Sequence, residues 1–153
     1  MKGKIFVVGI GPGDHEYLTP RAKSSLKDSD IIIGYFSYIK LIKPLFPEKE
    51  YVSSGMTKEV ERCKQCIDHA KDGKVVSLIS SGDPGIYGMA GILLELATNS
   101  KEDICIEIVP GVTSYLAAAS LLGSPITEDH VVISLSDLLI PWKIIENRIH
   151  CAG

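Results

Sequence analysis

Three short stretches combine glycine with proline, acid or hydroxyl residues directly after apolar runs: GIGPGDHEYLT from Gly9, SSGDPGIYG from Ser80 and PGVTS from Pro110. Glycines allow a ligand to come close to the main chain, whose N–H and C=O groups then do the binding. Such a surface suits a small, largely uncharged purine-bearing ligand better than a polyphosphate. Taken singly, each loop is also explained by turn chemistry, since Asp before Pro is a common turn former. Asp83 is open to two compatible roles, orienting the polar end of a ligand or capping a helix that begins near Ile86.

Other chemistries are excluded by spacing. A dinucleotide fingerprint needs G-x-G-x-x-G opening a helix at once and an acid about 20 residues later. Here the glycines run Gly9, Gly11, Gly13, Pro12 removes a donor, and no helix signal comes before Pro20. The second apolar run ends in Gly34 and Tyr35, with no acid to hold a ribose. A P-loop is excluded because no Gly-Lys-Ser/Thr comes after any strand. Cys63 and Cys66 have metal or redox spacing, but no second pair accompanies them and they sit in a helical pattern. The histidines, His15, His69, His130 and His150, lack ligand spacing. No metal site is expected.

The elements that must position these loops are set by periodicity. Short β-branched runs alternate with segments of helical period, the sequence form of βαβ units. Strands are expected at Lys4–Ile10, Asp30–Gly34, Glu50–Ser54, Lys74–Ser80, Ile104–Val109 and Val131–Ser136, several of them apolar on both faces as central parallel strands are. Thr19 and Pro20 are the N-cap and first residue of a helix. The segment Thr57 to Asp72 is an amphipathic helix with Val60, Cys63, Ile67 and Ala70 on its inner face, stopping at Gly73. Ile86–Ala97 and Val112–Leu122 are apolar nearly all round and are expected to be buried or to face another domain. In a parallel sheet, ligands sit outside the carboxyl ends of the strands, so all three loops belong on one rim.

With 153 residues, 45% of them hydrophobic and 23% charged, the chain matches a soluble globular protein. Its net charge of −3 is spread along the sequence, so no basic stripe marks a nucleic-acid surface. The opening apolar run is interrupted by glycine well short of the roughly 18 residues of a membrane span. Neither nucleic acid nor membrane is expected as a partner. With no leader read at the start, the four cysteines are taken as thiols in a reducing cytoplasm. LGSPITEDH, from Leu122, is a connection, and the segment beyond it holds one strand and one helix. The expected organisation is therefore an N-terminal α/β domain over residues 1–122 carrying the loops, with residues 123–153 as linker and the first strand and helix of an incomplete second domain. A partner molecule could also complete that layer.

VGIGPGDHEYLT, GDPGIYG and PGVTS, in this order and at these distances, resemble the tetrapyrrole (corrin and porphyrin) methylases. Within that family GYFSYIKLI, SSGMTKEVERC, SSGDPGIYGMAG and SLSDLLIPW resemble the branch that methylates C17 of precorrin-3 in cobalamin biosynthesis. The resemblance covers the whole chain. It implies an α/β fold, a mostly parallel sheet flanked by helices, together with the start of a second α/β domain, with S-adenosylmethionine in the cleft between the two and S-adenosylhomocysteine as product.

Carried over residue by residue, the resemblance implies that Ser81, Gly82 and Asp83 line the cofactor loop and that Ile86 packs on the adenosyl portion. Pro12, Thr113 and Ser114 would complete this half of the pocket. The implied acceptor is precorrin-3B or its cobalt-containing counterpart, methylated at C17 with contraction of the ring. Tyr35 and Tyr87, with Tyr38 beside them, are candidates for the proton movements of that contraction, and each could equally be a packing aromatic. Arg21, Lys40, Lys43, Lys58 and Arg62 are available for the substrate's carboxylates, or form solvated helix faces. Met56 lies in a strand-to-helix loop that could reach the macrocycle. A homodimer is expected from the family. The alternatives are a methylase for uroporphyrinogen or another corrin position, and a truncated cofactor-binding chain without turnover.

Overall fold

The computed structural model describes residues 3–100, 103–136 and 140–152. Five strands, β1 (Lys4–Gly9), β2 (Ile31–Tyr35), β3 (Glu50–Ser54), β4 (Val75–Ser80) and β5 (Cys105–Val109), form one sheet in the order β3-β2-β4-β1-β5. Every pairing is parallel, with Lys4 opposite Val75 and Cys105, and Ile31 opposite Glu50 and Val76. All five carboxyl ends therefore open on the same rim.

The helices are α1 (Pro20–Asp28), α2 (Phe36–Ile42), α3 (Glu59–Lys71), α4 (Ala90–Ser100), α5 (Ser114–Leu121) and α6 (Trp142–His150), with a single 3-10 turn at His15–Tyr17. Alternate strand residues go to opposite faces, and each face has its own core. Ile5, Val7, Ile31, Ile33 and Leu78 pack with Cys63 and Ile67 of α3 and Leu93 of α4. Phe6, Val8, Ile32 and Ile79 pack with Leu26 of α1 and Ile39 of α2. Truncating one of these fully buried isoleucines to alanine costs about 2–5 kcal/mol, so the sheet is a stiff platform for its rim. Thr19 caps α1 as expected, its Oγ1 accepting the Ala22 N–H at 3.1 Å.

Several expectations change. α2 comes directly after β2 and is not anticipated by the sequence pattern, because seven residues rich in aromatic and β-branched types carry little helix signal alone; packing of Ile39 and Ile42 on the sheet makes it. The expected strand at Val131–Ser136 does not form: a strand exists through its ladder bonds, and among the described residues this segment joins no ladder. SLSDLLIPW falls partly on residues 137–139, outside those described. Val60, expected on the inner face of α3, is 50% exposed, and Cys66, not among the residues expected there, is buried.

The chain divides into two compact units, Met1–Ala118 and Ala119–Gly153. The sheet and all three glycine-rich loops belong to the first. In the second, residues 125–136 show no regular strand or helix, and α6 carries a Lys143–Glu146 pair at 2.8 Å.

Candidate functional site

β4, β1 and β5 are neighbours, so the three loops that leave them emerge side by side. The first two are joined main chain to main chain: Gly11 N–H donates to Gly82 O at 3.2 Å, and Gly82 N–H donates to Gly11 O at 2.8 Å. Both glycines are left-handed, with φ of +74° and +62°, a conformation that disfavours other residues. The third loop closes on the same point. A Cβ on Gly9 would lie 2.6 Å from Gly82 O and 2.7 Å from Gly111 N, and one on Gly111 would overlap Gly82 O. Three loops meet where only glycine fits.

Asp83 ties this junction. Its Oδ1 accepts the Gly85 N–H at 2.8 Å and its Oδ2 accepts the Gly111 N–H at 3.0 Å. The carboxylate thus joins the loop after β4 to the loop after β5. It does not cap a helix at Ile86, because Tyr87 is left-handed at φ +50° and a Cβ on Gly88 would lie 2.6 Å from Pro84 O. That tight fold delays α4 until Ala90, leaving Ile86 in the turn and 45% exposed.

The other residues expected at the site surround this junction unevenly. Pro12 is exposed next to Gly11, and Ser114 is the exposed first residue of α5. The position of a Cβ on Gly82 would be 3.7 Å from Ser114 N, so these two segments face each other closely. Thr113 is buried, and its Oγ1 has no hydrogen-bond partner among the described residues. A buried hydroxyl without a partner is uncommon. Ser81 Oγ–H donates to Tyr38 Oη at 3.0 Å, and the Tyr38 ring meets that of Tyr35 edge-on at 5.2 Å. Tyr87 is 68% exposed at the outer turn.

The arrangement offers main-chain groups and hydroxyls beside a glycine junction, without a ring of cations. It fits a ligand whose recognised edges are neutral and hydrogen-bonding. The unpartnered Thr113 hydroxyl, with the open side of Gly82, where a Cβ would meet nothing closer than 3.7 Å, fits the adenosyl portion of S-adenosylmethionine. Among the described residues no group of three or more His, Cys, Asp or Glu could hold a metal ion, and no helix is long and apolar enough to cross a membrane.

The basic residues do not gather as one cluster. Arg21 and Lys4 both bond to Glu107, and these two hydrogen bonds hold the Glu107 carboxyl below its ordinary pKa. Lys58 pairs with Glu61 at 3.1 Å; Lys40 lies 5.2 Å from the centre of the Phe36 ring, and Lys43 lies 5.8 Å from that of Tyr51. Arg62 overturns the solvated-face expectation: it is 4% exposed and bonds to Ser54, Gly55 and Glu59. Periodicity could not find this, because a lone arginine on an inner face reads as a break in the apolar stripe. The cross-loop role of Asp83 and the Ser81–Tyr38 contact were likewise invisible in sequence, since their partners lie 28 and 43 residues away.

Residues 4–149 match the sequence family of tetrapyrrole (corrin/porphyrin) methylases. This chain belongs to that family. Among curated members, a Salmonella typhimurium protein named a probable cobalt-factor III C(17)-methyltransferase is 48% identical over 97% of this chain and 62% of its own length. The methyltransferase CobJ superposes with a TM-score of 0.88 at 34% identity, over 96% of this chain and 62% of that one. A uroporphyrin-III C-methyltransferase from Thermus thermophilus, solved with S-adenosyl homocysteine, superposes with a TM-score of 0.60 at 31% identity, over 76% of this chain and 48% of that one. The chain thus spans less than two thirds of the length of each of these tetrapyrrole methylase relatives. Their likeness extends over the parallel sheet and its flanking helices.

Proposed function

We propose that this chain carries the cofactor loops of an S-adenosylmethionine-dependent C-methyltransferase acting at C17 of a precorrin-3 type tetrapyrrole, with ring contraction, in cobalamin biosynthesis. The observation that carries the cofactor assignment is the buried, unpartnered Thr113 hydroxyl beside the loops clamped by Asp83. The acceptor assignment rests on the cobalt-factor III methyltransferase relative at 48% identity. A cytoplasmic location and a homodimer go with this reading. Both are supported by family resemblance.

When bound, S-adenosylmethionine supplies an electrophilic sulfonium methyl, which the acceptor carbon takes in line as the S–C electron pair returns to sulfur. The chain's own task is then positioning, for which alignment can supply about 7–11 kcal/mol of the barrier. In this reading Thr113 hydrogen-bonds the adenosyl edge, Gly82 lets it approach the main chain, Pro12 and Ile86 cover its faces, and Ser81 and Ser114 bound the pocket. Asp83 serves by holding two loops at a fixed separation. Tyr35 and Tyr87 are assigned to proton movements during contraction, Tyr35 from the rim beside the Tyr38–Ser81 pair.

The test is calorimetric titration with S-adenosylhomocysteine, with NAD as control and Asp83→Ala as a second protein. Saturable binding of the adenosyl ligand alone, weakened in the variant, is the expected result. Saturable NAD binding without it would overturn the reading.

A further inference from the structure

The sheet rim continues beyond the cofactor loops. Past β4 come β2 and then β3, so the turn after Ser54 stands two strand spacings, about 9.5 Å, from the exit of β4. Tyr35 is directly opposite Ser54 in the ladder, Tyr35 meets Tyr38, and Tyr38 bonds Ser81 of the cofactor loop. These contacts run without a break from the 54–57 turn to the cofactor loop.

That turn is held more firmly than chain connection requires. Arg62, on α3, directs Nη1 to Ser54 Oγ at 2.9 Å and to Gly55 O at 2.8 Å, while Nη2 bonds Glu59 Oε1 at 3.0 Å. Burying a guanidinium is costly unless its donors are satisfied. Here both Nη1 bonds converge on one turn. The turn also contains Thr57 in a left-handed conformation at φ +61°, a strained state that persists where surrounding contacts over-determine it. At its tip is Met56, 72% exposed; Phe36, 43% exposed, follows Tyr35 and meets its ring edge-on at 4.5 Å. An exposed thioether on a clamped turn beside aromatic residues forms an adaptable surface for a flat, apolar ring.

We propose that Arg62 is a positioning residue for the acceptor: it fixes the 54–57 turn so that Met56 and Tyr35 form the edge on which the tetrapyrrole plane rests. This rests on the methyltransferase reading above. Arg62 bonds Ser54, Gly55 and Glu59 and no residue of the cofactor loops, which it reaches only through the Tyr35–Tyr38 contacts, so its loss should fall mainly on acceptor binding.

The test compares the wild-type chain with Arg62→Met, Arg62→Lys and Met56→Ser. S-Adenosylhomocysteine affinity is measured by calorimetry and uroporphyrin III affinity by fluorescence titration. We expect Arg62→Met and Met56→Ser to weaken uroporphyrin III by about tenfold or more, as misplacement of a contact by ~1 Å can do. Adenosyl-ligand affinity stays within about twofold, the range of a surface change. Arg62→Lys, which keeps a donor for Gly55 O, recovers part of the loss and carries the test if Arg62→Met fails to fold. Unchanged uroporphyrin III affinity in Met56→Ser, or equal loss of both ligands across the folded variants, overturns the proposal. A wild-type chain that binds S-adenosylhomocysteine but not uroporphyrin III overturns the acceptor edge and leaves the cofactor site intact. Binding of neither overturns both.

Discussion

The Asp83 carboxylate reaches across 28 residues to accept the Gly111 N–H at 3.0 Å, while its second oxygen holds Gly85 N–H at 2.8 Å. One side chain thereby sets the distance between the loop after β4 and the loop after β5. Asp83→Asn turns an amide N–H toward one of those two N–H groups. A lost hydrogen bond to a charged partner is worth about 1.5–3 kcal/mol, and S-adenosylhomocysteine affinity in calorimetry should fall by at least about tenfold, the lower part of that range.

Gly111 and Gly91 make a matched pair. A Cβ at Gly111 would overlap Gly82 O, whereas one at Gly91 meets nothing within 4 Å. Gly111→Ala should destabilise the protein by about 1–3 kcal/mol, as forced overpacking does, and weaken adenosyl binding with it. Gly91→Ala, on α4, should stabilise by about 0.4–1 kcal/mol through the unfolded chain. Urea denaturation of the two variants checks both signs.

The thiols should divide by burial. Burial pushes the Cys63 thiol up to about 11 and the Cys66 thiol well above its ordinary range. Cys105 and Cys151 are exposed. An aromatic disulfide reagent at pH 8 should therefore label Cys105 and Cys151 in the native protein, and Cys63 and Cys66 only after unfolding.

The same shifts give an alkaline instability. For an acid whose folded pKa is raised, the unfolded chain loses its proton first, so stability is full below the unfolded pKa near 8.5 and falls as pH rises toward the folded value. The urea midpoint should drop from about pH 8.5 upward, with the Cys63 part of the fall ending near 11 and the Cys66 part continuing above it. In Cys63→Ala/Cys66→Ala that thiol component of the drop should disappear.

Glu107 should act in the opposite direction. Hydrogen bonds from Lys4 and Arg21 lower its pKa, so its contribution is present above the ordinary carboxylate value and is lost as pH falls through the folded one. A side chain 34% exposed keeps the effect small. Wild type and Glu107→Gln should differ in urea midpoint at pH 7 and converge below about pH 4, under the ordinary glutamate pKa.

Much of the architecture was legible because it depends on local pattern. Ile31 to Ile33 are apolar at consecutive positions, which only a strand buried on both faces uses well, and all three are fully buried. Thr19 and Pro20 announced α1 because a cap is a contact within four residues. Errors fell where a distant partner decides. Val131–Ser136 has strand composition but joins no ladder among the described residues, Ile86–Met89 has helical composition but a left-handed Tyr87 and a packed Gly88, and Val60 has an apolar side chain on an exposed position.

The sequence by itself determined the five parallel strands, four of the five helices that come after them, the shared rim and the glycine, hydroxyl and acid content of three loops, because periodicity and turn chemistry act over a few residues. Tertiary structure alone decided that Gly11 pairs with Gly82, that Asp83 clamps Gly111, that Ser81 meets Tyr38 and that Arg62 is buried beneath the Ser54 turn. Those contacts join residues 8 to 71 positions apart in the chain, and only the order in which the strands assemble brings them within hydrogen-bonding distance.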